Sequence, residues 1–100
     1  MNLSIIMCKS PSEIRAAMAL ALLQLKVSEK LTLDDIGHVI GRGRESVSQY
    51  IADEAEMGAT CWLRAVAQWP ELADRLEHNL DEAEKAFRAR QRSLNLRDAA

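Results

Sequence analysis

The segment from Leu31 to Ile51 constrains the fold more than any other part of the chain. Two short amphipathic segments flank Gly41-Arg42-Gly43, and glycine accepts the left-handed conformation that the end of a helix requires. We therefore predict two short helices that are joined by this turn and packed at a steep angle. The apolar residues expected to hold them together are Ile36, Ile40, Val47 and Tyr50.

Gly37 is expected where these two helices approach most closely, so that a side chain larger than alanine would collide there. The second helix is expected to present Arg44, Glu45, Ser46, Ser48 and Gln49 outward. Side chains of these types can reach phosphates and the edges of bases in a major groove.

This segment resembles the Cro/repressor-type (xenobiotic-response-element-like) helix-turn-helix family of transcriptional regulators. The ungapped resemblance runs from Thr32 to Tyr50 and rests on Ile36-Gly37, Gly41 and the Val47-Ser48-x-Tyr50 run. It implies an all-α, five-helix, lambda-repressor-like domain with the helix-turn-helix at about 32–55. The DNA-binding residues that it implies are Thr32, Arg42, Gly43, Arg44, Glu45, Ser46, Ser48 and Gln49.

The expected roles of these residues follow from their chemistry. Gln49 can make two hydrogen bonds to adenine, and Arg44 can do the same to guanine or bind a phosphate. Thr32 is expected to offer its backbone N–H to a phosphate at the start of a helix, and Arg42 is a candidate phosphate contact. Glu45 is able to accept a hydrogen bond from cytosine or to repel wrong registers.

The rest of the chain also reads as helical, and residues 1–100 are expected to form one domain. Ser10-Pro11-Ser12-Glu13 is a helix-start pattern, and that helix should end near residues 28–30. Thr32 and Asp35 have the spacing of a capping box for the second helix. The third helix is expected from about 44 to 55, and a fourth should stop at Trp69 because Pro70 follows it.

The last helix, about 70–92, carries an apolar seam whose members recur at alternating intervals of three and four after Ala73. Little of so small a protein is left to cover this seam, so we expect a homodimer that uses the helix for dimerisation. The predicted interface residues are Leu76, Leu80, Ala83 and Phe87.

Charge is distributed unevenly along the chain. The net charge is −2, and residues 32–54 sum to −3, which opposes binding to nucleic acid. The span Lys85–Arg97 carries five basic residues and no acid, so it is either a solvated end or a non-specific DNA contact.

Other chemistries have little support in the sequence. Cys8, Cys61, His38 and His78 lack ligand-pair spacing, so no metal, disulfide framework or cofactor is expected. No catalytic set or phosphate-binding glycine loop is present, and an enzyme is not predicted. We expect neither a membrane segment nor a small-molecule ligand. The expected location is a reducing cytoplasm.

The predicted function is a dimeric, sequence-specific reader of double-stranded DNA with a pseudo-palindromic operator. Resemblance to short single-domain members implies a phage or plasmid repressor that blocks polymerase sterically, often on its own operon. The alternative is an oligomeric helical scaffold or adaptor without specific DNA binding. A third possibility is a DNA-packaging or replication accessory subunit with the same helix-turn-helix fold, which would differ from a repressor by forming larger rings.

Overall fold

The computed structural model describes the backbone of residues 9–99 and the side chains of residues 9–94. Within this part of the chain every regular element is a helix, which confirms the all-α prediction. Cys8 and the side chain of Arg97, which the sequence analysis named, lie outside the described residues. The helices are α1 (Pro11–Ser28), α2 (Leu33–Ile40), α3 (Arg44–Ile51), α4 (Ala59–Gln68) and α5 (Glu71–Ala99). None of them combines the length and the apolarity that a membrane span needs.

Local capping sets the starts of the first two helices. Ser10 Oγ accepts a hydrogen bond from the Glu13 N–H at 3.2 Å, and Pro11 occupies the first turn. At α2, Thr32 Oγ1 accepts from the Asp35 N–H at 3.1 Å while an Asp35 carboxylate oxygen accepts from the Thr32 N–H at 2.8 Å. Both predicted helix starts are therefore confirmed, because the side chains satisfy amide groups that the helix leaves unpaired.

The end of α3 differs from the prediction. The helix stops at Ile51 instead of near Ala55. Asp53 takes a left-handed conformation with φ of 58°, and its amide donates to the Tyr50 carbonyl at 3.2 Å in a tightened last turn. The Asp53 carboxylate then accepts from Arg15 Nε of α1 at 2.7 Å. This contact between distant parts of the chain overrides local helix propensity.

Two clusters of buried residues lie between the helices, and the half-buried Met18 and Trp62 pack against both. Helix α1 packs against α3 and α5, α2 packs against α3 and α4, and α4 packs against α5. Full burial of each large aliphatic side chain contributes roughly 1.5–3 kcal/mol. The largest fully buried side chains are Leu22, Leu25, Ile36, Ile40, Val47, Leu72 and Leu80.

The contact between α1 and α5 is antiparallel and includes one buried polar residue. Asn79 Nδ2 donates to the Ala17 carbonyl and to Gln24 Oε1, each at 3.2 Å, while Arg75 of α5 reaches Ser28 at the end of α1. The side chain of Asn79 is satisfied by both partners, so its burial fixes the relative position of the two helices.

The predicted dimer interface needs a correction. Leu76 and Leu80 are only 3% and 1% exposed, and they pack in the chain's own core against Ala17. They are covered because α1 runs alongside the first half of α5. Of the predicted interface residues, Ala83 and Phe87 remain exposed. Ala83 lies at the edge of a cleft beside Leu20 of α1, and Phe87 follows one turn later.

The second half of α5 projects from the body of the protein. A helix of 29 residues is about 43 Å long at a rise of about 1.5 Å per residue. Every described side chain from residue 85 onward is exposed, and the molecule is 55 Å long but only 24 × 23 Å across. This part of the helix therefore lies outside the packed body.

Gly37 governs how α2 enters the turn. A Cβ atom placed on Gly37 would lie 2.4 Å from the Arg42 carbonyl oxygen and 3.5 Å from Val47 Cγ2. The Gly37 carbonyl accepts from the amides of Gly41 and Arg42 at 2.8 and 3.0 Å, and Gly41 is left-handed with φ of 76°. The expectation that alanine fits at position 37 is wrong, because the backbone of the turn leaves no room even for a methyl group.

We predict that Gly37→Ala destabilises the protein. The steric conflict with a backbone carbonyl costs about 1–3 kcal/mol and outweighs a helix-propensity gain of about 1 kcal/mol. Urea denaturation should therefore give a lower free energy of unfolding. Gly58→Ser is the control, because no atom lies within 4 Å of its added Cβ and serine is a favoured cap at that position. A Gly37→Ala protein as stable as this control would contradict the assignment.

Candidate nucleic-acid interface

The predicted DNA-binding residues lie together on the α2–turn–α3 unit (residues 32–51). Seven of the eight are exposed, and Ser46 is half-buried. The apolar side of α3 is fixed by Val47, which is fully buried, and by the half-buried Tyr50. The exposed members are Thr32, Arg42, Gly43, Arg44, Glu45, Ser48 and Gln49.

Arg44 is paired with an acid of α2. Its Nε donates to Asp34 Oδ1 at 3.2 Å, and its Nη2 contacts Asp34 Oδ2. The hydrogen bond from Arg44 lowers the pKa of the Asp34 carboxyl, and the same contact raises the pKa of Arg44. Both side chains are more than 60% exposed, so a competing anion can reach the guanidinium.

The role predicted for Thr32 must be corrected. Its backbone N–H already donates to the Asp35 carboxylate in the capping box and is not directed at an outside anion. The amides of Leu33 and Asp34 follow in the first turn, where an α-helix provides no internal acceptor. These two N–H groups are the ones that the start of α2 offers to an anion.

The start of α3 has no side-chain cap. Gly43 is the N-cap residue, and no side chain accepts a hydrogen bond from the first turn at this position. Gly43 is also open, with no atom within 4 Å of an added Cβ. An exposed helix start of this kind combines unpaired N–H groups with the positive end of the helix dipole, which favours an anion such as phosphate.

Sequence reasoning missed a third arginine at the turn. Arg64 of α4 places its Nη1 atom 2.7 Å from where a Cβ on Gly41 would lie, and its side chain is exposed. Arg42 and Arg44 flank the same turn in the sequence. The only signal for Arg64 was a single basic residue on an otherwise apolar helix, and local spacing cannot connect position 64 with position 41.

Three of the five acids in residues 32–54 have partners within the protein. Asp34 pairs with Arg44, Asp35 belongs to the capping box and Asp53 pairs with Arg15. Counting Arg15 and Arg64 with residues 32–54 brings the formal charge from −3 to −1. The acidity seen in the sequence is therefore largely compensated by arginines from α1 and α4.

Within residues 9–94, the cysteine, tryptophan and histidine residues named above do not come together in one site. The Cys61 thiol is buried and donates to the Ile40 carbonyl at 3.6 Å, and Trp62 packs on the core. His38 and His78 are exposed on different helices. Among the described residues, no group of three or more histidine, cysteine or acidic side chains has the arrangement of a metal site.

We predict that the Asp34 carboxyl titrates below its ordinary pKa of 3.8. Because the folded-state pKa is depressed, the ion pair is fully formed above about 3.8 and is lost as the pH falls through the lower folded value. Carboxyl-carbon NMR should show this depressed midpoint, and Arg44→Gln should return it toward 3.8. An unchanged Asp34 midpoint in the variant would rule out Arg44 as the cause.

Comparison with known proteins gives no assignment. No protein-family profile, curated protein sequence or solved structure matches this chain. The function is therefore argued from the residues and geometry of the α2–turn–α3 unit.

Proposed function

We propose that this protein is a sequence-specific regulator of transcription that binds double-stranded DNA through a helix-turn-helix formed by α2 and α3. The observation that carries the proposal is the buried contact of α3 with α2, together with the polar side chains that α3 leaves exposed. Ile36, Ile40 and Val47 are at most 1% exposed, whereas Arg44, Ser48 and Gln49 face solvent. One side of α3 is thereby held by the core while the other is available to a partner.

The dimensions of α3 suit a major groove. An α-helix with its side chains is about 10–12 Å in diameter, which fits a major groove about 12 Å wide, and the eight residues of α3 make about two turns within it. Gln49 and Arg44 are the residues that would distinguish bases, Gln49 at adenine and Arg44 at guanine. Ser46 is half-buried, so it has a smaller share of base contact than the sequence alone implied.

Phosphate contacts would come from the turn. Arg42 and Arg64 are exposed near Gly41, and the open start of α3 follows at Gly43. Guanidinium groups and helix N–H groups hold the DNA backbone without reading sequence. Each neutralised phosphate releases counterions, so affinity should fall steeply as salt rises.

The biological role that follows is repression by steric block. Among the described helices, none forms a separate ligand-binding domain beside the α2–turn–α3 unit. A homodimer would read a pseudo-palindromic operator with one α3 in each half-site and would exclude polymerase from the promoter. A phage, plasmid or own-operon setting is the proposed context.

A second candidate is a helical scaffold without specific DNA binding. It is favoured by the acids of the unit and by the engagement of Arg44 with Asp34 in the free protein. The two functions differ in their salt dependence and in sequence selectivity. A scaffold would show neither a preferred DNA sequence nor a dependence on Gln49.

The decisive measurement is selection of binding sites from randomised duplex DNA at two salt concentrations. We expect a two-fold symmetric motif that the Arg44→Ala/Gln49→Ala double variant no longer enriches. Loss of a bidentate base contact removes about 1–3 kcal/mol of discrimination at that base. Arg92→Ala/Gln68→Ala is the matched control, because it removes the same side-chain types from exposed positions on α5 and α4. Absence of enrichment with the wild-type protein would favour the scaffold.

We also predict that Asp34→Asn strengthens DNA binding. The substitution releases Arg44 from its carboxylate partner and removes a negative charge from the proposed DNA-facing surface. Affinity measured by fluorescence anisotropy should rise several-fold at low salt, with a smaller gain at high salt. Asp74→Asn, an exposed acid of α5, is the control for loss of one charge elsewhere. Equal gains from both variants would show that only net charge matters.

A further inference from the structure

Helix α1 is apolar on two opposite faces. One face packs in the core through Ala21, Leu22 and Leu25, which are fully buried. The other carries Leu20, Leu23 and Val27, which are 45%, 40% and 69% exposed. These three residues lie at intervals of three and four, so they form one stripe along the helix. A helix with two apolar faces is normally covered on both, and within the described part of the chain only one face of α1 is covered.

The projecting half of α5 continues the same apolar surface. Ala83 is exposed, Phe87 follows one turn later at 54% exposure, and Leu94 follows after a further seven residues at 57%. A cleft of about 250 Å³ lies between Leu20 of α1 and Ala83 of α5, and it joins the two stripes. A larger cleft of about 590 Å³ extends beside Phe87 beyond the start of α1.

We call this the α1–α5 surface and define it by Leu20, Leu23, Val27, Ala83, Phe87 and Leu94. Six large hydrophobic residues are exposed in the described part of the chain, and five of them lie on α1 and α5. The sixth, Leu63, lies on α4. A clustered apolar surface marks an interaction site, whereas scattered single residues do not.

The charges of α5 indicate which partner fits. Residues 71–84 contain six acids and one arginine, for a formal charge of −5, and residues 85–97 contain five basic residues and no acid, for +5. The helix dipole favours such an order only within the first and last turns, so it does not account for segregation along the whole helix. Two copies of α5 in antiparallel arrangement place each acidic half beside a basic half. The helix is therefore complementary to itself.

We propose that a second copy of this chain covers the α1–α5 surface, with the two α5 helices antiparallel and crossing near Phe87. Leu94 and Leu80 lie seven residues on either side of Phe87, so Leu94 comes level with the partner's Leu80 and with the cleft beside the partner's Leu20. Arg90 and Glu84 lie three residues on either side, so Arg90 comes level with the partner's Glu84. Every contact occurs twice, as a two-fold axis requires.

This arrangement differs from a seam built on α5 alone. Leu76 and Leu80 remain in each subunit's own core, and α1 supplies half of the apolar contact. The proposal deepens the homodimer of the proposed function. It does not depend on DNA contacts, so oligomeric state and operator binding test the two ideas separately.

The test is sedimentation equilibrium of the full chain and its variants, with helicity checked by circular dichroism. The wild type should be a dimer at micromolar concentration. Leu20→Glu and Phe87→Glu should each shift it to monomer while helicity is retained, because both side chains are exposed in the single chain. A monomeric wild type, or variants that dimerise as tightly as the wild type, would overturn the proposal. So would dimerisation that appears only after residues 2–8 are deleted, since that segment would then be the occupant.

Charge reversal tests the antiparallel register. Arg90→Glu should raise the dimer dissociation constant about tenfold, because two symmetry-related attractions become repulsions. Glu84→Arg should raise it at least as much, since Glu84 also pairs with Arg88 at 2.8 Å and with Lys9 at 3.9 Å in its own chain. The double variant should restore wild-type dissociation, which a merely structural role would not do. Arg92→Glu is the matched control, since Arg92 lies on the opposite face of α5 from Phe87. Failure of the double variant to recover, with both singles weakened, would reject this register.

Discussion

The α2–turn–α3 unit depends on the close approach between Gly37 and the carbonyl of Arg42. Only a residue without a Cβ leaves room for that oxygen, and the Gly37 carbonyl in turn receives two amides of the turn at 2.8 and 3.0 Å. The turn therefore leaves α2 in one direction, and Val47 is carried into the core beside Ile36. The outward residues of α3, and with them the proposed base contacts, follow from this single backbone arrangement.

At the proposed interface, DNA would compete with carboxylates of the protein for the same hydrogen-bond donors. In the free protein, carboxylates already occupy groups that phosphates or bases would use: Asp34 holds Arg44, and Asp35 holds the Thr32 amide. In the proposed complex, DNA would displace the first of these pairs, which is exposed, and would leave the second in place as part of the helix cap. The arginines Arg42 and Arg64 are exposed near the turn and are the positions from which long-range attraction would act.

The length of α5 links the fold to assembly. The core covers the first half of this helix and one face of α1, whereas every described side chain of α5 from residue 85 onward is exposed. The bare half of α5 and the bare face of α1 are joined at the cleft between Leu20 and Ala83. Because α1 and α5 are antiparallel, a second α5 that runs antiparallel to the first lies parallel to α1 and can contact both.

The sequence alone determined the elements whose causes are local: the caps at Ser10 and Thr32, the left-handed Gly41 and the all-helical class. These features arise from hydrogen bonds and conformational preferences within about four residues, so spacing reveals them. Tertiary structure decided the rest. It buried Leu76 and Leu80 under α1, ended α3 early through Arg15 and Asp53, brought Arg64 to the turn and paired Arg44 with Asp34. Those contacts join residues between 10 and 63 positions apart, from Arg44–Asp34 to Leu80–Ala17. Their existence depends on how whole helices pack, which no local pattern records.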